Sequence, residues 1–406
     1  MRSATDGLAA AGLGLLLLLL APLLLSPGGA RAADDPTGED ALLRHFLSAD
    51  RFDLDLFAPS GPAIVTMGAS PRQASEPGAI QDFAIDLGTV NDGTGTHLAA
   101  AVSALPYWWG GRALTLDEYR TQTSPFARIL ARTQGSIGLS TAGADPFDAL
   151  RLGLGLQTQL LDAQDHRMDA AMAACLHSAW DTHRRSAHER AAQALAAAIT
   201  EAEAAGRPIG DIDLGALQLA ELSKGAPTAW LAARESCQEE GLRRLLARPS
   251  WLVGLGASAR SEEDAWGSLA YDGLSGWTSL RLPLAGKGRY AGFAFLRGDL
   301  DRVFDFDDGG TAEGDALTGG LGLGYQTPAF RLDLSAAHTH RRYEGSGEED
   351  FQRYGASLDL RLFEGFWLEL SGGTTVSSET TDGVYGGVSV KVSWGDYLPF
   401  LGGAPF

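Results

Sequence analysis

The chain of 406 residues carries 32 basic and 51 acidic side chains, a formal net charge of −19, and 52 glycines. That acidic surplus excludes a phosphate-backbone partner, so no nucleic acid is expected. A mean hydropathy of −0.05, with no second long apolar run, excludes a bundle of membrane-spanning helices. It does not exclude a transmembrane β-barrel, in which lipid-facing residues alternate with polar ones and the hydropathy averages out.

At the start of the chain Arg2 opens a short basic region, the apolar run Leu8 to Leu25 follows, and Ala30-Arg31-Ala32 offers small residues where a signal peptidase reads them. Residues 1–32 are therefore expected to be a signal peptide, cut after Ala32. Residues 33–80 form a periplasmic N-terminal segment or plug. Asp34, Asp35, Glu39, Asp40, Asp50, Asp53 and Asp55 make its first half acidic, which suits either a solvated leader with a short helix at Ala41–Leu47 or a filler for a basic lumen. The run Ala63–Met67 reads as a further strand or as part of that plug.

Residues 81–161 hold the first four strands, at about 82–90, 96–106, 126–140 and 148–161. Pro106 and the cluster Tyr107-Trp108-Trp109 close the second one, with aromatic rings at a membrane interface. Residues 162–248 break the pattern. Alanine-rich stretches such as Ala191–Ala198 and the segment Trp230–Glu240 carry helix formers, with breaks at Gly206-Arg207-Pro208 and Gly225-Ala226-Pro227. This reads as a helical insertion on the periplasmic side, a hairpin stapled by the chain's two cysteines, Cys175 and Cys237.

Residues 249–406 hold the other eight strands, at 249–260, 274–284, 288–298, 316–326, 328–341, 351–363, 365–376 and 383–394. The cleanest alternation is the last: Val384, Gly386, Val388, Val390, Val392 and Trp394 against Tyr385, Gly387, Ser389, Lys391 and Ser393. An even strand count places both termini in the periplasm. Tight connections at 285–287, Thr327 and Glu364 then fall on that side, and longer ones at 261–273, 299–315, 342–350 and 377–382 fall outside. The expected fold is thus an all-β transmembrane antiparallel barrel of about 12 strands with a helical periplasmic insertion, in the outer membrane of a Gram-negative bacterium. Outer-membrane lipid and lipopolysaccharide would surround it. The terminal Phe406 resembles the phenylalanine that bacterial barrels present to the barrel assembly machinery.

On the inward face the strands carry Arg128, Arg132, Arg151, Arg281, Arg331, Arg353, Arg361 and Lys391 against Asp82, Asp86, Asp333, Asp359 and Glu369. Two readings follow: a lumen that favours anions, or a ladder of internal ion pairs such as Arg331–Asp333 and Asp359–Arg361 that fills the barrel. Catalysis has little support. His97, His338 and His340 have no serine in a hydrolase motif. His166, His177 and His188 recur every eleven residues, about 16 Å apart on one helix, too far to share a metal. The acidic stretch Asp299–Asp315 lacks calcium-loop spacing and reads as a solvated outer loop. No metal and no cofactor are expected.

The stretches Leu56–Ala63, Gly68–Pro71, Leu114–Tyr119 and Ile129–Gln134 resemble a group of uncharacterised bacterial outer-membrane β-barrel proteins. The resemblance implies the barrel fold and carries no activity with it. The expected function is a small-solute pore with a basic lumen. The alternatives are a closed barrel that acts as a membrane scaffold, docking a periplasmic protein partner through its insertion, and, least supported, an outer-membrane enzyme.

Overall fold

A computed structural model describes residues 38–47, 61–67, 83–91, 96–110, 114–142, 149–161, 163, 165–261, 269–285, 288–305, 310–327, 329–345, 347–363, 366–377 and 383–394. The expected signal peptide, Asp82 and Phe406 lie outside the described residues. The strands are β1 (Phe83–Asn91), β2 (Thr96–Ala104), β3 (Thr133–Ala142), β4 (Ala149–Gln159), β5 (Ser250–Ser261), β6 (Ala270–Ala285), β7 (Tyr290–Asp305), β8 (Thr311–Gln326), β9 (Phe330–Tyr343), β10 (Gly347–Phe363), β11 (Phe366–Ser377) and β12 (Gly383–Trp394). Each pairs antiparallel with its sequence neighbours, and β1 closes the barrel on β12, from Phe83↔Trp394 to Asn91↔Gly386. Closure removes the exposed edges that an open sheet would present.

Alternation decides the two faces. On β9, Arg331, Asp333, Ala337 and Thr339 are buried, while Leu332 and Leu334 between them point outward. On β8, Leu321 is 68% exposed, whereas Asp333 of β9, opposite Gly324, is 2% exposed. A protein that buries its carboxylates and exposes its leucines has been sorted for a hydrocarbon solvent outside. The stretch taken from sequence as an outer acidic loop is mostly strand: β7 runs on to Asp305 and β8 begins at Thr311. A bulge after Asp299, with Asp301 at φ 52, shifts the phase so that Arg302 and Phe304 continue the inward row.

Eight helices of five residues or more complete the described residues. They are α1 (Glu39–Phe46), α2 (Pro62–Met67), a 3₁₀ helix at Pro106–Gly110, α3 (Leu116–Gln122), α4 (Pro125–Ala131), α5 (Ala170–Ala204), α6 (Leu214–Ser223) and α7 (Ala226–Leu246); shorter 3₁₀ turns lie at His166–Met168 and Ile209–Asp211. The expected strand at 126–140 is corrected in its first half. Ser124 caps α4 with Pro125 in its first turn, and Thr115 and Glu118 form a reciprocal capping box on α3. These local signals start helices, so Arg128 lies on α4 and Arg132 caps its end, rather than either lying on a strand. The insertion is three helices and not a hairpin, because Gly206 and Gly225 adopt the left-handed conformation and turn the chain twice.

All of these helices except α2 meet in one apolar core at the end of the barrel where β2 leads into β3 and β4 into β5. Cys175 of α5 and Cys237 of α7 are disulfide-bonded, with Cα atoms 5.9 Å apart. Phe46 of α1 inserts between Trp180 of α5 and Trp230 of α7, with ring centroids 5.2 and 5.0 Å away. Leu105, Tyr107, Trp108 and Tyr119 join the same core and tie it to the barrel rim. The Leu246–Ala247 backbone packs against Gly288 of the β6–β7 turn. The helical domain is therefore seated on the mouth that carries the tight turns.

Asp169 anchors the first helix of that domain. It accepts from the Ala171 and Met172 amides and faces Arg244 at 3.2 Å and Arg248 at 3.5 Å. Burial alone would raise its pKa, but the helix amides and the two arginines outweigh burial and hold it below the ordinary carboxylate value. A depressed folded pKa adds stability that is complete above the unfolded value and is lost as pH falls through the folded one. Helical ellipticity of the domain should therefore melt at lower temperature on acidification. Asp169→Asn should melt earlier at neutral pH and lose less between neutrality and the acid range; an equal acid response in both proteins would remove this account.

Candidate functional site

Inside the barrel the inward rows form a nearly continuous network of charges. Asp333 of β9 serves both Arg281 of β6, at 3.3 Å, and Arg331. Lys391 of β12 meets Glu369 of β11 at 2.6 Å and Asp86 of β1 at 3.9 Å, and Ser389 donates to Asp86. Arg353 of β10 stacks over Phe351 and Tyr385, at 5.1 and 5.7 Å. Arg361, further down the same inward row of β10, sits opposite Trp367. Arg151 of β4 pairs with Asp272 of β6.

Six of the eight basic residues selected from sequence thus lie on inward rows. The other two do not line the lumen as strand residues. Arg128 reaches Met168 in the helical domain, and Arg132 is buried at the rim against Asp165, 3.5 Å away, and the Gln159 carbonyl. Asp165 also accepts from Tyr119, whose phenol is pushed up by burial and then by that carboxylate. Four inward arginines escaped sequence reading: Arg260, Arg297, Arg302 and Arg341. Arg297 and Asp299 continue the period of Phe293 and Phe295, which was the available signal. Arg302 follows the bulge, where alternation alone misleads.

Beside this network lies α2. All six of its residues are buried, and it packs against β2 through β6 inside the wall. The run Ala63–Met67 is thus helix inside the barrel, not a thirteenth strand. The wall makes room for it with glycines. A Cβ added at Gly155 would stand 2.5 Å from the Pro62 carbonyl carbon, one at Gly153 would stand 2.5 Å from Met67 Cγ, and Gly138 and Gly256 are similarly crowded by Met67 and Thr66. On the opposite wall the barrel fills itself: Phe293 and Phe295 lie over Gly322 and Gly320.

Polar contacts fix both ends of α2. At its start the Ala63 amide donates to Ser136 Oγ at 2.6 Å, and the Gly61 amide donates to Asp86. At its end the two Nη atoms of Arg302 donate to the adjacent carbonyls of Thr66 and Met67, the first at 2.8 Å. Arg151 Nη1 donates to the same Met67 carbonyl at 3.3 Å. Arg302 also shares Asp299 with Arg297, at 3.3 and 2.7 Å. Below α2 the polar lining is sealed from solvent: Gln134, Ser250, Ser279, Arg281 and Gln326 are each 1% exposed or less.

The histidines do not converge. His338 and His340 face outward near the outer rim, each against Asp350, at 3.2 and 3.1 Å. His177 pairs with Asp117 and His188 with Glu39 in the helical domain. Among the described residues no group of three or more histidine, cysteine or acidic side chains is placed to hold a metal, and no helix is long and apolar enough to cross a membrane. The membrane-facing surface is instead the leucine-covered outside of the strands.

The chain is a closed twelve-stranded antiparallel β-barrel with an apolar outer face. No protein-family model and no curated protein sequence matches it. Solved structures similar to it include an outer membrane channel from Pseudomonas putida F1, at 7% identity and a TM-score of 0.36, covering 79% of this barrel's chain and 100% of the channel's. The NanC porin gives 6% and 0.33, covering 77% and 98% of the two chains. LpxR from Salmonella typhimurium gives 8% and 0.32, covering 77% and 100%. Likenesses this distant carry no argument about what the barrel does, and its fold stands on its own strand register.

Proposed function

We propose that the protein is a gated small-solute pore of the outer membrane, shut in this state by α2. The observation that supports this reading is the glycine-lined groove. A twelve-stranded wall can be filled by its own side chains, as Phe293 and Phe295 fill the far side. Strands β3 to β5 give up side chains to admit a separate segment, which packs on the wall through Ala63, Ile64, Val65 and Met67 and is hydrogen-bonded at its two ends. Such a segment can leave without dismantling the wall. Arg151, Arg281, Arg331, Arg353, Arg361 and Lys391 would then line the path, with no catalytic step and no cofactor. Membrane lipid and lipopolysaccharide surround the barrel, and the barrel assembly machinery inserts it.

The second reading is a closed scaffold that docks a periplasmic protein through the helical domain. It is favoured by the sealing of the lower lumen. It is disfavoured by the burial of Trp180, Trp230 and Cys237, which are 8% exposed or less and form the inside of a cap rather than a docking face.

A crosslink separates the two. A Cβ at Gly61 would lie 3.4 Å from Ala101 Cβ, close to the ~3.5–4.5 Å spacing of disulfides. Oxidised Gly61→Cys/Ala101→Cys protein in planar bilayers is expected to pass no current, and reduction is expected to restore the openings of the wild type. Reduced wild type controls for the native bond. If wild-type, locked and unlocked proteins are all silent, the pore reading falls and the scaffold stands.

A further inference from the structure

The residues that hold the end of α2 have the geometry of a ligand site. Arg302 spreads its two Nη atoms over two neighbouring carbonyl oxygens, Thr66 O and Met67 O, and Arg151 adds a third donor to the second oxygen. A guanidinium bridging two oxygens is the arrangement it makes with a carboxylate or a phosphate. Both arginines are more than nine-tenths buried. Within the cluster, Arg151, Arg297 and Arg302 face Asp272 and Asp299, which leaves one positive charge in excess. In the shut state the negative ends of the α2 carbonyl dipoles answer that excess. When α2 leaves, Arg302 loses both carbonyls and Arg151 keeps, among the described residues, Asp272 and the Val303 carbonyl.

We propose that this fork is the anion site of the open pore, and that the last two carbonyls of α2 occupy it as an internal mimic of a small carboxylate or phosphate. The inference rests on the gated-pore reading and adds to it the class of solute. It also ties solute to gate: an oxyanion at the fork competes with the plug for the same donors, so the solute favours the open state. Arg297 is a positioning residue here. It holds Asp299, and Asp299 aims Arg302.

The test uses full-length protein with α2 displaced in two independent ways, because either variant could disturb assembly. Gly155→Val drives a side chain into the Pro62 backbone. Val65→Asp puts a charge into the apolar contact with Leu252 and Trp277 and leaves the wall untouched. Heat-modifiable migration identifies folded barrels. In a potassium chloride gradient the open current is expected to reverse on the anion side. Inorganic phosphate and acetate, applied separately, should each reduce the chloride current, and the more effective one identifies the preferred oxyanion. Adding Arg302→Gln should raise the half-blocking concentration about tenfold or more, the loss expected for charge-assisted hydrogen bonds. In the otherwise unaltered chain Arg302→Gln should increase opening while weakening the block, a pair of opposite changes that a merely structural arginine would not give. A cation-preferring open current, or a block indifferent to Arg302→Gln, overturns the anion site while leaving the gate intact. Folded variants that never conduct overturn the gate itself.

Discussion

Loss of the Cys175–Cys237 bond is expected to unfold the helical domain while the barrel stays closed. The bond spans 62 residues of sequence, and loop-closure entropy over such a span is worth ~4 kcal/mol. No single buried side chain among the three helices contributes as much, each being worth about 1.5–3 kcal/mol. α5 is rich in alanine, and alanine favours helix strongly but brings little surface to a core. The surfaces that do meet are concentrated in Phe46, Trp180, Trp230, Leu176 and Leu222, close to the bond. A Cys175→Ser/Cys237→Ser protein should show two thermal transitions, an early loss of helical ellipticity and a later loss of heat-modifiable migration. A single transition at the wild-type temperature would mean that the barrel rim, not the bond, holds the helices.

The second large effect is expected at Asp333. This carboxylate is 2% exposed and is shared by Arg281 and Arg331, which are also buried. Asp333→Ala removes the partner they share, and breaking such a buried set costs about 3–5 kcal/mol. Asp333→Asn keeps hydrogen-bonding atoms but removes the charge and should fall between. The readout is the urea midpoint of the folded barrel in detergent, followed by gel migration. If Asp333→Ala unfolds at the wild-type midpoint, the lumenal ion pairs contribute nothing net and the barrel is held by its hydrogen-bond ladder alone.

How much of this was legible beforehand depends on the element. All twelve strands are visible in the sequence because lipid on one side and polar filling on the other enforce a strict alternation, and Val384 to Trp394 shows it without a break. The disulfide was visible from compartment and count. What alternation cannot show is a change of phase, and Arg302 was missed for that reason. Arg128 and Arg132 were misassigned for a related one: Ser124-Pro125 is a helix start, but the apolar spacing behind it also fits a strand. The plug was visible only as a short apolar run. Its place in the lumen is written in Gly138, Gly153, Gly155 and Gly256, residues that in a single sequence look like ordinary barrel glycines.

The two walls of the barrel differ in height. Strands β1 and β2 have nine residues each, whereas β6, β7 and β8 have sixteen. Tilted at roughly 45°, nine residues rise only ~20 Å and sixteen nearly ~40 Å. Over the described residues the low wall falls short of the usual hydrocarbon thickness of about 30 Å, a mismatch that a bilayer meets by pinching or a barrel by leaning. α2 lies between the two heights, packed against β2 through β6. On the gated-pore reading, a solute leaving beside α2 would cross a rim that is low on one flank and tall on the other.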